Sequence, residues 1–406
     1  MKEPLESLID GTVASPEGFS AGAVFAGLKN AGPDRRDLGI LCSDRPAEVA
    51  GTFTQNSVIS PSALLSREVV ASGAPVRGIV ANSGCANCAV GAHGLTDARE
   101  IVSLAATKLG VGATEMLICS TGVIGVELPM GIIREHLPRI KPDGQGGSEF
   151  ARAIMTTDTR VKQLAVKFTV DGKEVTLGGA AKGSGMIHPN MATMLAFMTT
   201  DADVKRDFLR QVLSETVEVS FNQIDVDNDT STNDSVLLLA NGAAENQPID
   251  HDHPDAPAFI HALNHVSRYL AKEIARDGEG ATRLIEVVVE SAGSDQDARN
   301  AARSVASSML VKAAVHGRDP NWGRIMMAVG KTAIELDESK IDIFVNDIQI
   351  VEAGTAIPFF TQSVVAVLGE PEVCLRICLN VGDGQGLAWG CDLSEEYVVF
   401  NSAYTT

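Results

Sequence analysis

The residues best suited to chemistry lie between positions 182 and 197, which read KGSGMIHPNMATMLAF. Gly178, Gly179, Gly183 and Gly185 make the approach flexible and admit positive φ, and Pro189-Asn190 imposes a turn. Met191-Ala192-Thr193 comes next, followed by the apolar Met194, Leu195, Ala196 and Phe197. This order predicts a tight loop that delivers a threonine hydroxyl to the start of a buried strand. Ala192 is small and leaves room for attack on its carbonyl. A Thr193 hydroxyl aimed there can convert the amide to an ester, which water then cleaves. The new chain would begin at Thr193, with hydroxyl and α-amine on one residue. An α-amine titrates at about pH 8 and is a natural general base for that hydroxyl. The residue types alone also allow an ordinary glycine-rich loop entering a strand.

Other chemistries fit less well. Asp158, Asp225, Asp227, Asp229 and Asp234 form an acidic cluster in sequence, but the spacing of a calcium loop, with its Gly and closing Glu, is absent. Solvated or capping aspartates are expected. His188 stands next to the turn and is read as a structural or solvent-facing histidine. Gly183-Ser184-Gly185 lacks the spacing of a nucleophile elbow, and Lys182-Gly183-Ser184 has Lys and Gly in the wrong order for a phosphate loop. Cys85 and Cys88 make one C-x-x-C, and Cys374 and Cys378 lie in an apolar stretch. The second spacing does not suit zinc, so no metal is expected and buried, reduced thiols are.

The elements that must position Thr193 are helices and strands in alternation. Residues 94–110 read as a helix with Ile101, Leu104, Ala105 and Leu109 on one face, Thr96 or Asp97 as cap and Gly110 as stop. Phe208, Leu209, Val212 and Leu213 repeat at helical spacing, as do Phe259, Leu263, Val266 and Leu270. Val166, Phe168 and Val170, then Asp171-Gly172, then Val175 and Leu177 predict a hairpin with a type I′ turn. Residues 284–289, 341–350 and 373–379 read as strands, with Asn346-Asp347 as a turn. The pattern calls for mixed sheets covered by helices and leaves the topology open. The chain has 406 residues, 45% of them hydrophobic, and a net charge of -19. Such length suits two domains or one large layered domain, and such acidity argues against nucleic acid as partner. No apolar run is long enough to span a bilayer, and residues 1–22 lack the pattern of a signal peptide, so a cytoplasmic location with no membrane partner is expected. The odd cysteine count argues against a disulfide framework.

The segment around Thr193 closely resembles the self-cleavage motif of the ornithine acetyltransferase family, the glutamate N-acetyltransferases of arginine biosynthesis. The resemblance covers nearly the whole chain. It takes in Gly18, Gly51-Thr52-Phe53-Thr54, Asn82-Ser83-Gly84, Ser120-Thr121-Gly122-Val123-Ile124-Gly125 and Met155-Thr156-Thr157-Asp158-Thr159. It continues through Asp229-Thr230-Ser231-Thr232-Asn233-Asp234, Gly278-Glu279-Gly280-Ala281-Thr282, Asp319-Pro320-Asn321-Trp322-Gly323-Arg324 and the terminal Asn401-Ser402-Ala403-Tyr404-Thr405-Thr406. Three departures stand out. Cys85 and Cys88 replace the more usual Asn and Ala of NSGNANA, Asp225 stands where Ser is common, and Thr405 where Arg commonly precedes the last Thr.

The resemblance implies a layered α/β fold of mixed sheets sandwiched between helices, processed to expose an N-terminal nucleophile. Cleavage between Ala192 and Thr193 would give chains 1–192 and 193–406, intertwined and assembled as a heterotetramer of two of each. It implies Thr193 as nucleophile, Thr121 and Gly122 as oxyanion hole, and substrate contacts from Thr156 or Thr157, Lys182, Thr193, Glu279, Asn401 and Thr406. The implied reaction moves an acetyl group from N-acetylornithine to glutamate by a ping-pong route without a cofactor. Whether acetyl-CoA is a second donor stays open. Lys182 suits an anion and Glu279 a cation. A self-cleaving aminopeptidase or amidase would share the chemistry up to the acyl-enzyme, and an uncleaved binding protein would remain one chain.

Overall fold

A computed structural model describes residues 5–29, 35–188 and 194–403. Two mixed sheets, one of nine strands and one of seven, organise the described residues. The larger sheet is built around the strand Leu195–Thr200. It runs antiparallel to Lys173–Lys182 and parallel to Ser235–Ala240, which in turn pairs with the long strand Leu38–Phe53. Both halves of the chain therefore contribute strands to one sheet.

Leu195–Thr200 is buried throughout. Leu195 and Phe197 face one core, where Phe197 meets Phe150 edge-on at 5.2 Å, and Ala196 and Met198 face another. An unbroken apolar run is what a strand covered on both faces requires. The cover on one face is the helix Ala256–Arg276, which buries Phe259, Leu263, Val266 and Leu270, and the helix Arg206–Glu218, which buries Phe208, Leu209, Val212 and Leu213. The helical spacing of both segments thus marks their inward faces.

The hairpin forms as its sequence predicts: Val166 pairs with Leu177 and Phe168 with Val175, and Asp171 and Gly172 both take positive φ, 51° and 72°. Asn346 likewise turns at φ 49° between Asp342–Val345 and Ile348–Glu352. In the smaller sheet Leu284–Ala292 lies between Glu372–Cys378 and Gly384–Cys391, with the helix Asp295–Ala306 packed against it.

The helix read over 94–110 spans His93–Leu109 and ends on Gly110 at φ 71°. Its start differs from expectation: Thr96 and Asp97 lie inside the first turns, and the cap position is Ala92, without a side-chain hydrogen bond. A buried Asn87 donates to the Gly94 carbonyl at 2.9 Å. All seven cysteines are free, and five are buried, Cys85 and Cys88 among them.

Candidate active site

The site lies at the C-terminal ends of two parallel strands, Val76–Cys85 and Met116–Val123. Their pairing breaks into a bulge where Gly84 meets Gly122. Gly122 has φ 127°, and a Cβ there would stand 2.3 Å from the Gly84 carbonyl carbon. Only glycine lets the two backbones come so close. Around this bulge the polar motif residues form a buried network. The Ser120 hydroxyl donates to Asn82 Oδ1 at 2.7 Å, and Asn82 Nδ2 donates to the Cys85 carbonyl at 3.0 Å. Asn233 Nδ2 reaches both the Ala86 carbonyl, at 2.6 Å, and the Ser120 carbonyl, at 2.8 Å. Three motifs far apart in sequence thereby hold one strand end, and such a fully bonded network rigidifies it.

A cavity of about 160 Å³ opens over that end, about five times a water molecule's share of liquid volume. Thr121, Gly122, Thr156, Thr157, Lys182, Glu279 and Asn401 all line it. The chain thus brings together every sequence-predicted site residue that lies among the described ones. Thr193, Ala192 and Thr406 fall outside the described residues, as does the turn read at Pro189-Asn190. Met194, the next residue after Thr193, is buried, and its N–H donates to Asp234 Oδ1 at 2.9 Å. Burial pushes the Asp234 carboxyl well above its usual range, against the pull of that N–H and of the Lys182 charge.

Lys182 is 2% exposed. Burial lowers its pKa, while Asp158 opposes. Its strand end is fixed through Asp158, which accepts the Gly183 N–H at 2.7 Å and the Lys162 ammonium at 2.6 Å. Lys162 also donates to Asp277 at 2.6 Å. Burial works against an ionised Asp158, but the Lys162 and Lys182 charges hold it below the usual carboxylate range. Of the adjacent threonines, Thr157 has its hydroxyl engaged with that of Ser184 at 2.5 Å, and the Thr156 N–H donates to Asp158. Glu279 accepts from Asn401 Nδ2 at 2.9 Å, and a side chain at Gly185 would collide with its carboxylate.

The acidic cluster divides: Asp229 is exposed and Asp227 caps backbone N–H groups, as the sequence suggests, but three members are not solvated. Asp158, Asp225 and Asp234 are buried, each in a different setting. Asp225 lies 2.9 Å from the buried Lys312 and 2.9 Å from His188 Nδ1. Asp227 accepts the Met186, Ile187 and Asp229 N–H groups and, at 3.3 Å, the Tyr397 hydroxyl. Burial raises its pKa to about 6 despite those bonds. It thereby fixes the left-handed turn at Met186, φ 53°, that leads toward Thr193. His188 is therefore held by a carboxylate rather than merely facing solvent. Sequence reasoning missed Lys29, Asp227 and Tyr397 as cavity residues. No spacing signal marks Lys29 or Tyr397, and Asp227 was hidden among its acidic neighbours.

Fold and cavity together define a two-sheet mixed α/β enzyme with a polar site of amino-acid size. The ArgJ family model matches residues 20–406. A curated relative from Dehalococcoides mccartyi, named arginine biosynthesis bifunctional protein ArgJ, is 47% identical over 406 residues, the whole of both chains. One of the same name from Oceanobacillus iheyensis is 44% identical over 98% of this chain and 97% of its own. A crystal structure of the Bacillus halodurans protein of that name is 43% identical with a TM-score of 0.50, and the match covers 51% of this chain and 98% of the solved one. The chain belongs to the ArgJ family of arginine-biosynthesis acetyltransferases. Among the described residues no helix is long and apolar enough to cross a membrane.

Proposed function

We propose that the chain cleaves itself between Ala192 and Thr193 and then transfers an acetyl group from N-acetylornithine to glutamate through an acetyl-Thr193 ester. In cleavage, the Thr193 hydroxyl attacks the Ala192 carbonyl, the C–N bond breaks, and water hydrolyses the resulting ester. In transfer, the same hydroxyl attacks the acetyl carbonyl, its proton passing through the new α-amine to the departing ornithine nitrogen. The neutral α-amine of glutamate then attacks the ester, loses a proton, and leaves as N-acetylglutamate while the hydroxyl is restored. Thr121 and Gly122 would stabilise the oxyanion of each tetrahedral intermediate. Lys182 would take a substrate carboxylate, Glu279 with Asn401 the ornithine ammonium, and Thr156 or Thr157 and Thr406 the remaining contacts.

The observation that carries this reading is the cavity itself. It gathers Thr121, Gly122, Lys182 and Glu279 from three separate segments, and its Lys182 strand pairs directly with the strand that follows Thr193. The length of the solved relative adds support. It matches about half of this chain while the curated relatives run full length, as a chain divided near its middle would. The products would stay interlocked, because Leu195–Thr200 sits between strands from both halves, and two such pairs would form the heterotetramer in the cytoplasm. The word bifunctional in the relatives' names supports acetyl-CoA as a second donor to glutamate, with no bound cofactor needed.

The test is acceptor dependence. With N-acetylornithine alone, ornithine should appear in a burst and then slowly, since only water clears the ester. Glutamate should restore turnover and yield N-acetylglutamate. Equal steady rates with and without glutamate would mean a hydrolase instead.

A further inference from the structure

The cavity must accept two amino acids whose side chains end in opposite charges. What they share is an α-carboxylate, so a seat for that group would serve both half-reactions. Lys182 supplies one cation. A second cation, Lys29, lines the same cavity, and its construction is distinctive. The carboxylate of the buried Asp37 accepts the N–H groups of Ala26 at 2.6 Å, Gly27 at 2.9 Å and Leu28 at 2.7 Å. Residues 26–29 are thus wrapped around a fixed anion whose lone pairs go to backbone rather than to the lysine. Gly84 lets this loop lie over the strand end, since a Cβ there would come within 2.5 Å of the Leu28 carbonyl oxygen.

So anchored, the Lys29 ammonium donates to the carbonyls of Arg36 and Met155. An ammonium has three N–H donors, and neither described partner carries a full negative charge. Lys182 has no hydrogen-bond or ion-pair partner among the described residues. Two cations, Lys182 buried and Lys29 half-buried, therefore border one small cavity with no carboxylate among the described residues in contact with either ammonium, and the Lys182 charge adds to the cost of charging Lys29. Burial lowers the Lys29 pKa to about 8, with Asp37 and Asp158 opposing, so it is mostly charged at neutral pH. The strongest charges acting on Lys29 are Asp37, Asp158 and Lys182, whereas Glu279 acts on Lys182. Glu279 and Asn401 line the same cavity.

We propose that Lys29 and Lys182 together form the seat for the substrate α-carboxylate, with Lys29 a substrate-binding residue in both half-reactions. This rests on the transferase reading above. A two-cation seat for the common group leaves the differing side-chain ends to the rest of the cavity, which Glu279 and Asn401 also line, and accounts for one site serving both amino acids.

The experiment pairs a change in the protein with a change in the ligand. Lys29→Met is compared with wild type on N-acetylornithine and on its carboxamide, whose α-carboxylate is replaced by a neutral amide. For the acid, Lys29→Met should raise KM about 10- to 100-fold, the range for a lost charge-assisted bond. For the amide, wild type and variant should differ by less than about threefold. KM for glutamate should rise alongside that for the acid, and Lys29→Arg should recover part of both. Splitting into two chains on a denaturing gel, together with the melting temperature, reports the fold independently. If Lys29→Met raises KM equally for acid and amide, or leaves KM for the acid unchanged, Lys29 is no carboxylate seat, while the transferase reading stands. A wild type that transfers acetyl from neither compound overturns that reading and the seat with it.

Discussion

Gly122→Ala places the sharpest load on the proposed oxyanion hole. At φ 127° an L-residue is strained, at a cost of about 1–3 kcal/mol. The added Cβ would lie 2.3 Å from the Gly84 carbonyl carbon, 2.5 Å from its oxygen and 2.7 Å from the Cys85 nitrogen. All three are backbone atoms of a paired strand, so no side chain can swing away. Overpacking costs about 1–3 kcal/mol even where side chains can adjust. Together the loss should be about 2–6 kcal/mol, a large share of a typical stability of about 5–15 kcal/mol. Urea unfolding should show it as a lowered midpoint with an unchanged slope. The strand ends must part to admit the methyl, so acetyl transfer should also fall. Thr121→Val separates the two effects, because it removes a hydroxyl and adds no strain at the glycines. It should lower kcat about 10²- to 10³-fold, the cost of one oxyanion donor, with little change in KM. A Gly122→Ala protein with wild-type midpoint and wild-type kcat would refute the argument from close approach.

Thr193→Ala should leave one full-length chain without transferase activity, whereas Thr193→Ser should still cleave and keep part of the activity. Intact mass and N-terminal sequencing check this, wild type giving a fragment that begins Thr193-Met194-Leu195. Lys162→Met should cost about 3–5 kcal/mol near neutral pH, because it strands the buried carboxylates of Asp158 and Asp277. Asp158 is held below its unfolded value, so the stability it contributes is present above about pH 4 and lost as pH falls further. The gap in urea midpoint between wild type and Lys162→Met should therefore narrow on acidification, and a constant gap would contradict the pairing.

What the sequence makes legible here is whatever depends on local period. The hairpin at 166–177 and the helices bearing Phe208 and Phe259 follow from alternation, turn chemistry and helical spacing, and they form as read. The caps read for the 94–110 helix fail because the helix begins at His93, so that Thr96 and Asp97 lie inside its first turns. Within the acidic cluster, the burial of Asp158 and Asp225 escapes the sequence for a non-local reason. Asp158 and Asp225 are buried because Lys162 and Lys312 are buried with them, and each pairing depends on the fold. At 225, where serine is more usual, the aspartate is tolerated because the buried Lys312, on the helix Met309–His316, reaches it.

The site residues were legible only through resemblance, and the geometry explains why. Thr121 and Gly122 read as a turn after a strand, and Lys182 and Glu279 as two unrelated charges, until the sheet order sets their elements around one cavity. That order is non-local: Leu38–Phe53 pairs with Ser235–Ala240, and Lys173–Lys182 with Leu195–Thr200. The glycines of the motifs make the physical case most directly. Gly122 answers to the Gly84 backbone, Gly84 to the Leu28 carbonyl, and Gly185 to the carboxylate of Glu279. Each is fixed by a partner distant in sequence, so its necessity appears only when both are in place. Lys29 is the extreme case. Its role follows from Asp37, Gly84 and Lys182 jointly, and from none of them alone.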